Sequence, residues 1–330
     1  MKSMYLAMGY RCNHHCYFCP CGKEQNKTSA APAEQLLAAI DAGIRENQIQ
    51  YVTLSGGEPT LHPDFHKILA YCADRKLQVT VLSNGDTFYK ESNVRKYFEG
   101  IDARYFTVTT AIHSHLPELH EKVTGVPGSY EHTVQGLKHL IPMGIPFTVK
   151  QVISKWNYQY LPDFVDFVYR EYGPFASLTF CGMDFCGMDP EEIDQVAISY
   201  REAGPYLEKA LDMVLSIRKQ FGGFPMVTAA DLPLCCVDPY YWGFFSKVSR
   251  GQLSKYSAPE KVSGDLVSSS NVVNDCDIYC ECCKRCCVSD YCPGIWSSAY
   301  QYFGEAAAVA VMPEITSESS LLSEDESERR

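Results

Sequence analysis

The sequence predicts an α/β protein: a parallel sheet covered by helices. Strand-like and helix-like runs alternate through the first two-thirds of its 330 residues, the order that parallel strands joined by crossover helices require. That length accommodates one barrel-sized domain with a small appendage. A hydrophobic content of 46% is ordinary for a globular chain, and no run of 18 apolar residues suits a membrane span.

The elements follow in order. Met4 to Met8 reads as a strand. Ala31 to Arg45 has helical spacing, with Leu36, Leu37 and Ile40 on one side. The β-rich run Ile49 to Leu54 is the second strand. Pro63 to Arg75 repeats apolar residues at Phe65, Ile68, Leu69 and Cys72, again a helix. Leu77 to Leu82 is a strand closed by Ser83-Asn84-Gly85, and Arg104 to Thr109 is another. Tyr130 to Met143 is helical and stops at Gly144. Pro146 to Ile153 is a strand, Leu161 to Tyr172 a helix and Ala176 to Phe180 a sixth strand. Pro190 to Gln220 reads as one long helix. The Ser-rich stretch 246–274 lacks apolar periodicity and reads as a mobile loop. Beyond Met312 a Ser/Glu-rich tail reads as disordered. The expected domains are a core over 1–222, a Cys-rich region over 223–312 and the acidic tail 313–330.

Two motifs sit at predicted strand ends. The first strand runs into Arg11-Cys12-Asn13-His14-His15-Cys16-Tyr17-Phe18-Cys19-Pro20. Cys12, Cys16 and Cys19 place three thiols on one short loop. A [4Fe–4S] cluster normally takes four thiolates, so three leave one iron open to bind a substrate. Zinc is the alternative for such a loop, with His14 or His15 as fourth ligand. The second motif, Leu54-Ser55-Gly56-Gly57-Glu58-Pro59-Thr60, ends the second strand. Its glycines remove Cβ atoms and let the backbone approach a ligand. Taken alone it also suits an ordinary strand-ending turn.

Together the two motifs resemble the signature of the radical S-adenosylmethionine (radical SAM) enzymes, over residues 4 to about 160. The resemblance implies a partial (β/α)6 TIM-like barrel with working residues at the strands' C-terminal ends. It implies a cluster on Cys12, Cys16 and Cys19 that chelates SAM and, once reduced, cleaves it to methionine and a hydrogen-abstracting 5′-deoxyadenosyl radical. Gly56, Gly57, Glu58 and Pro59 would then receive the SAM amino group, with Glu58 as its anionic acceptor. Phe18 would lie near the adenine, and Ser83 and Asn84 at the sugar or carboxylate side. Thr109, Lys150 and Gln151 are further strand-end candidates. His113, His115 and His120 read as an exposed loop run. Cys21, Cys72, Cys181 and Cys186 read as small buried hydrophobes.

A second group, Cys276, Cys280, Cys282, Cys283, Cys286, Cys287 and Cys292, crowds into seventeen residues. Cys283-Lys284-Arg285-Cys286, with Cys292 further on, resembles the SPASM and twitch extensions that hold auxiliary iron–sulfur clusters. The resemblance implies one auxiliary [4Fe–4S] cluster on Cys283, Cys286 and Cys292, with Cys235 as fourth ligand and Cys236 next in line. The pattern is partial: Trp296 stands where a further Cys would fall, and no Cys follows Cys292. A second cluster on Cys276, Cys280 and Cys282, or a zinc knot, stays open.

The sixteen cysteines and the absence of a visible secretory leader fit metal binding in a reducing, cytoplasmic setting. The net charge of −11, without a basic stripe, argues against nucleic acid, and no membrane partner is expected. The resemblance implies an oxidoreductase-type enzyme fed by a low-potential donor such as flavodoxin or ferredoxin. Its substrate is expected to be a peptide or protein side chain. A small molecule or nucleotide is the alternative; against a peptide, the chain starts at its first strand with no leader-binding domain ahead. A non-enzymatic iron–sulfur or zinc scaffold is the third reading.

Overall fold

The computed structural model describes residues 2–22, 30–223, 225–245 and 278–312. The predicted loop 246–274, Cys276 and the acidic tail lie outside these residues. The strands are β1 (Ser3–Ala7), β2 (Tyr51–Ser55), β3 (Gln78–Leu82), β4 (Phe106–Ala111), β5 (Phe147–Val152), β6 (Ala176–Cys181) and β7 (Val227–Ala230). The helices are α1 (Ala33–Ala42), α2 (Phe65–Asp74), α3 (Glu91–Phe98), α4 (Pro117–Thr124), α5 (Ser129–Lys138), α6 (Leu161–Tyr172), α7 (Pro190–Val196), α8 (Tyr200–Gln220) and α9 (Ser297–Phe303). The strands form one parallel sheet in the order β1 to β7. The α/β class is as read from the sequence, with one strand more than the six expected.

The described residues fall into two compact units. The first takes those of Met1–Ile112 and Leu116–Val149; the second takes those of His113–His115, Lys150–Leu253 and Asp275–Arg330. In the first, register aligns Met4 with Val52, Val79 and Phe106, and Leu6 with Leu54, Val81 and Val108. All eight are buried. Phe98 of α3 stacks on Phe106 with centroids 5.1 Å apart and planes 7° off parallel, and Phe65 of α2 meets Phe98 edge-on. This is the core. The opposite sheet face carries Tyr5, Thr53, Thr80 and Thr107 in one row. Each of these is only half-buried. Parallel strands covered on both faces usually read as continuous apolar runs; here they alternate, so one face is hydroxyl-bearing rather than a dry core. In the second unit, Leu178 pairs with Val227 and Phe180 with Ala229, all buried, while half-buried Thr179 and Thr228 pair on the other face.

Three features depart from expectation. The helix read over 190–220 is two helices. Ala197 is extended (ψ 133°), and Ser199 caps α8 by accepting the Glu202 backbone N–H. Helix α3 falls in a polar stretch whose apolar signal is only Val94 and Phe98, both buried, with an Arg95–Glu91 pair on its exposed side. The histidine run after β4 is not an exposed loop: His113 and His120 are buried, the latter on α4. An isolated His carries no periodic signal of the face it will occupy.

Gly136, inside α5, packs where a Cβ would lie 2.7 Å from the Gly85 carbonyl oxygen and 2.9 Å from Phe88 Cβ. Gly→Ala in an open helix gains about 0.5–1 kcal/mol. At Gly136→Ala the sign should reverse, with a loss of ~1–3 kcal/mol, read as a lower denaturant midpoint at unchanged m-value.

Candidate metal centre

The loop after β1 is held by backbone hydrogen bonds from two directions. Gly57 N–H donates to the Gly9 carbonyl at 2.8 Å, and Glu58 N–H to the Arg11 carbonyl at 2.8 Å. On the other side His15 N–H donates to Thr124 O and Tyr17 N–H to Val123 O, each at 2.8 Å. Those carbonyls belong to the last turn of α4, where helical oxygens lack intrahelical donors. Both predicted motifs therefore meet in the first unit. A Cβ on Gly56 would overlap the Gly9 carbonyl oxygen and one on Gly57 the Arg11 carbonyl oxygen. Gly56 also sits at φ +114°. The close approach that the glycines permit is between the two motif loops themselves.

Glu58 is fully buried and accepts four hydrogen bonds. Its Oε1 takes Thr60 N–H (3.0 Å), Thr60 Oγ1 (2.6 Å) and Ser83 Oγ (2.8 Å), and Oε2 takes Asn84 N–H (2.7 Å). Burial raises the carboxyl pKa overall, and donors from Thr60, Asn84 and Ser83 only partly oppose that rise. Ser83 and Asn84, read from sequence as strand-end contacts, are thereby tied to the Gly-Gly-Glu-Pro loop.

Around the thiols, Cys12 Sγ accepts His14 N–H at 3.4 Å and Asn84 Nδ2 at 3.8 Å. Burial pushes the Cys16 thiol up to about 12. A hydrogen bond with Cys21 brings Cys19 down to about 7. Phe18, between them, is buried. Soft thiols on one loop with N–H donors aimed at sulfur fit an iron–sulfur cluster, whose potential depends on such hydrogen bonds.

Sequence reasoning missed a polar network at the same loop. Asn13 Nδ2 donates to Asp86 Oδ2 (2.8 Å), Asn84 Nδ2 to Asn13 Oδ1 (2.8 Å) and Asp86 N–H to Asn84 Oδ1 (3.0 Å). His132 Nδ1 lies 2.8 Å from Asp86 Oδ1, and His14 Nε2 3.7 Å from the same oxygen. The His14 contact, followed by that of His132, holds Asp86 below the usual carboxylate range against the cost of burial. The one sequence clue was that Asn13 and His14 lie between the first two thiols.

The second unit gathers the other thiols. Cys235, Cys283, Cys286 and Cys292 line one pocket, walled by apolar residues including Ile278, Val288, Ile295 and Val309. Cys292 Sγ accepts N–H from Leu234 and Gly294, each at 3.4 Å, and Cys235 Sγ accepts Val309 N–H at 3.5 Å. Burial pushes Cys235 up to about 11 and Cys283 up to about 12. The N–H donors again suit thiolate ligands. Cys236 is buried and its pKa raised further. Cys280 and Cys282 donate to the carbonyls of Gly304 and Ala308. Among the described residues, no three Cys, His, Asp or Glu side chains are grouped to hold one metal ion. Lys150 and Gln151 lie in the second unit, where buried Gln151 donates to the His113 carbonyl at 3.3 Å.

Comparison with known proteins identifies the family. Residues 6–168 match the family model described as the radical SAM superfamily. The chain belongs to the radical SAM superfamily. A probable GTP 3′,8-cyclase of Sulfurisphaera tokodaii is 26% identical over 168 residues, 51% of this chain and 52% of that protein. A PqqA peptide cyclase of Methylorubrum populi is 26% identical over 157 residues, 48% of this chain and 40% of that one. The radical SAM chain therefore matches about half the length of these curated relatives, or less. The crystal structure of Streptococcus suis SuiB bound to precursor peptide SuiA shares the fold, with TM-score 0.54 and 18% identity over 65% of this chain and 46% of that one. Membership in the superfamily implies SAM and a [4Fe–4S] cluster. No helix among the described residues is long and apolar enough to cross a membrane.

Two substitutions test the two thiol sites. Gly57→Ala should force the motif loops apart and lower both iron retention and SAM binding, measured on anaerobically reconstituted protein. Cys286→Ala should lose up to roughly four iron atoms per chain while keeping the visible absorption of the Cys12 loop's cluster.

Proposed function

We propose that this radical SAM protein is an enzyme that reductively cleaves SAM and abstracts hydrogen from a peptide or protein side chain. The observation that carries the reading is the three-thiol loop bonded directly to the Gly-Gly-Glu-Pro loop. Cys12, Cys16 and Cys19 hold a [4Fe–4S] cluster, which when bound supplies the electron for sulfonium cleavage. Glu58 Oε1 is filled by three donors, whereas Oε2 takes one from Asn84. A carboxylate oxygen offers about two acceptor sites, so Oε2 retains a lone pair for the SAM ammonium. Gly56 and Gly57 set that carboxylate's distance from the thiol loop. Phe18 contributes an apolar surface for the adenine. Ser83 and Asn84 hold the carboxylate in place and border the remaining polar groups of SAM.

Cys235, Cys283, Cys286 and Cys292 hold an auxiliary cluster in the second unit. A low-potential donor of the flavodoxin or ferredoxin kind supplies electrons, in keeping with a reducing, cytoplasmic setting. Similarity to the PqqA peptide cyclase and the second thiol pocket support a peptide substrate. A nucleotide or other small molecule is the second reading, supported by the similarity to the GTP 3′,8-cyclase.

Reconstituted protein given dithionite and SAM should release 5′-deoxyadenosine, and Cys16→Ala should abolish release while circular dichroism stays unchanged. Near wild-type release by that variant would refute the assignment. Deuterium carried from a labelled peptide into 5′-deoxyadenosine supports the peptide reading; transfer from a labelled nucleotide alone replaces it with the second.

A further inference from the structure

The cluster loop's backbone pins fall at Gly9 and Arg11 on one side and at His15 and Tyr17 on the other. Cys12, Asn13 and His14 lie between them, and Asn84 Nδ2 reaches Cys12 Sγ at 3.8 Å. Two elements send polar side chains to this gap. Asn84 and Asp86 come from the loop after β3, and His132 comes from α5. Asp86 is the centre of the group: Oδ2 accepts Asn13 Nδ2 at 2.8 Å, and Oδ1 faces His132 Nδ1 at 2.8 Å and His14 Nε2 at 3.7 Å. Its backbone N–H also fixes Asn84, whose Nδ2 points at both Asn13 Oδ1 and Cys12 Sγ.

The side chain of His14 is 2% exposed, that of Asp86 20% and that of His132 41%. His132 stacks on Tyr89 at 4.3 Å between centroids. The carboxylate thus sits between a buried histidine on the cluster loop and a half-exposed one on a helix. Hydrogen bonds to a charged acceptor are about twice as strong as neutral ones. A carboxylate also offers two oxygens, so it can bind Asn13 and a histidine at once, which a single amide oxygen cannot do.

We propose that Asp86 is the positioning residue of the cluster loop, fixing Cys12 through Asn13 and Asn84 and setting the electrostatic surroundings of the metal centre. The inference rests on the superfamily reading of the loop, but its first test needs no iron. In apo protein, the rate at which iodoacetamide labels Cys12, followed by peptide mapping, reports how often the loop opens. Losing a half-buried charged partner should raise that rate by about tenfold in Asp86→Ala. Asp86→Asn, which keeps one oxygen for Asn13, should rise less. Asn13→Ala should raise the rate too, and adding Asp86→Asn to it should give less than the sum of the separate effects. In reconstituted protein, Asp86→Asn should move the cluster's midpoint potential upward and alter its EPR signal, because a nearby negative charge is gone.

Unchanged labelling of Cys12 in Asp86→Asn, or full additivity with Asn13→Ala, overturns the proposal. An altered labelling rate with an unmoved potential and EPR signal reduces Asp86 to a structural residue and also overturns it. If wild-type protein holds iron but makes no 5′-deoxyadenosine, the functional reading fails while the labelling result still decides the role of Asp86.

Discussion

Everything at the first site hangs on the buried Glu58 carboxylate. A charge removed from water costs several kcal/mol unless donors replace its hydration. Here Thr60 supplies two donors, Ser83 one and the Asn84 backbone one. The donors from 83 and 84 belong to a different strand end from Glu58, so the bonds satisfy the charge only when the ends of β2 and β3 are correctly placed. Electrostatic need is thereby converted into geometry. The neighbouring glycines transmit it further. Glu58 N–H and Gly57 N–H reach the carbonyls of Arg11 and Gly9 only because no Cβ intervenes. A fault in any of these contacts leaves a buried charge short of a donor or pushes the thiol loop away.

The sheet explains why chemistry can be placed at such strand ends. Register lines apolar side chains into continuous rows beneath α2 and α3, which gives the strands a rigid attachment on one face. The other face carries Tyr5, Thr53, Thr80 and Thr107, with the Tyr5 hydroxyl donating to Ser55 at 2.6 Å. Hydroxyls can exchange partners with a polar ligand at small net cost, whereas an apolar row cannot. A face of that kind can accept polar groups that an apolar face would exclude.

Much of this was legible in the sequence for reasons of range. Strands and strongly amphipathic helices declare themselves within a few residues, as at Phe65, Ile68, Leu69 and Cys72. The thiol motif and the Gly-Gly-Glu-Pro motif are likewise local, and their strand-end placement follows from alternation. Helix α3 escaped because two apolar residues in eight do not make a periodic signal. Residues 190–220 were read as one helix because their composition stays helix-favouring across the break at Ala197. The Asp86 network escaped for a different reason. Its members come from positions 13–14, 84–86 and 132, and nothing local to any of them calls for the others. Only the sheet brings them together.

The second thiol pocket shows the same division from the opposite direction. The resemblance of their spacing to SPASM and twitch extensions pointed to Cys283, Cys286 and Cys292, and it paired Cys235 with them across more than forty residues. Their arrival in one pocket depends on contacts that spacing does not encode: Leu234 N–H on Cys292 Sγ, Tyr279 hydroxyl on the Cys292 carbonyl and the Ile278–Ile295 bridge. The apolar walls raise the pKa of Cys235 and Cys283, which penalises bare thiolates. Ligation of a cation removes that penalty, because the metal's charge replaces the lost hydration. A metal bound there would have to offset the cost of deprotonating these thiols, and the backbone N–H groups of Leu234, Gly294 and Val309 would share the sulfurs' negative charge.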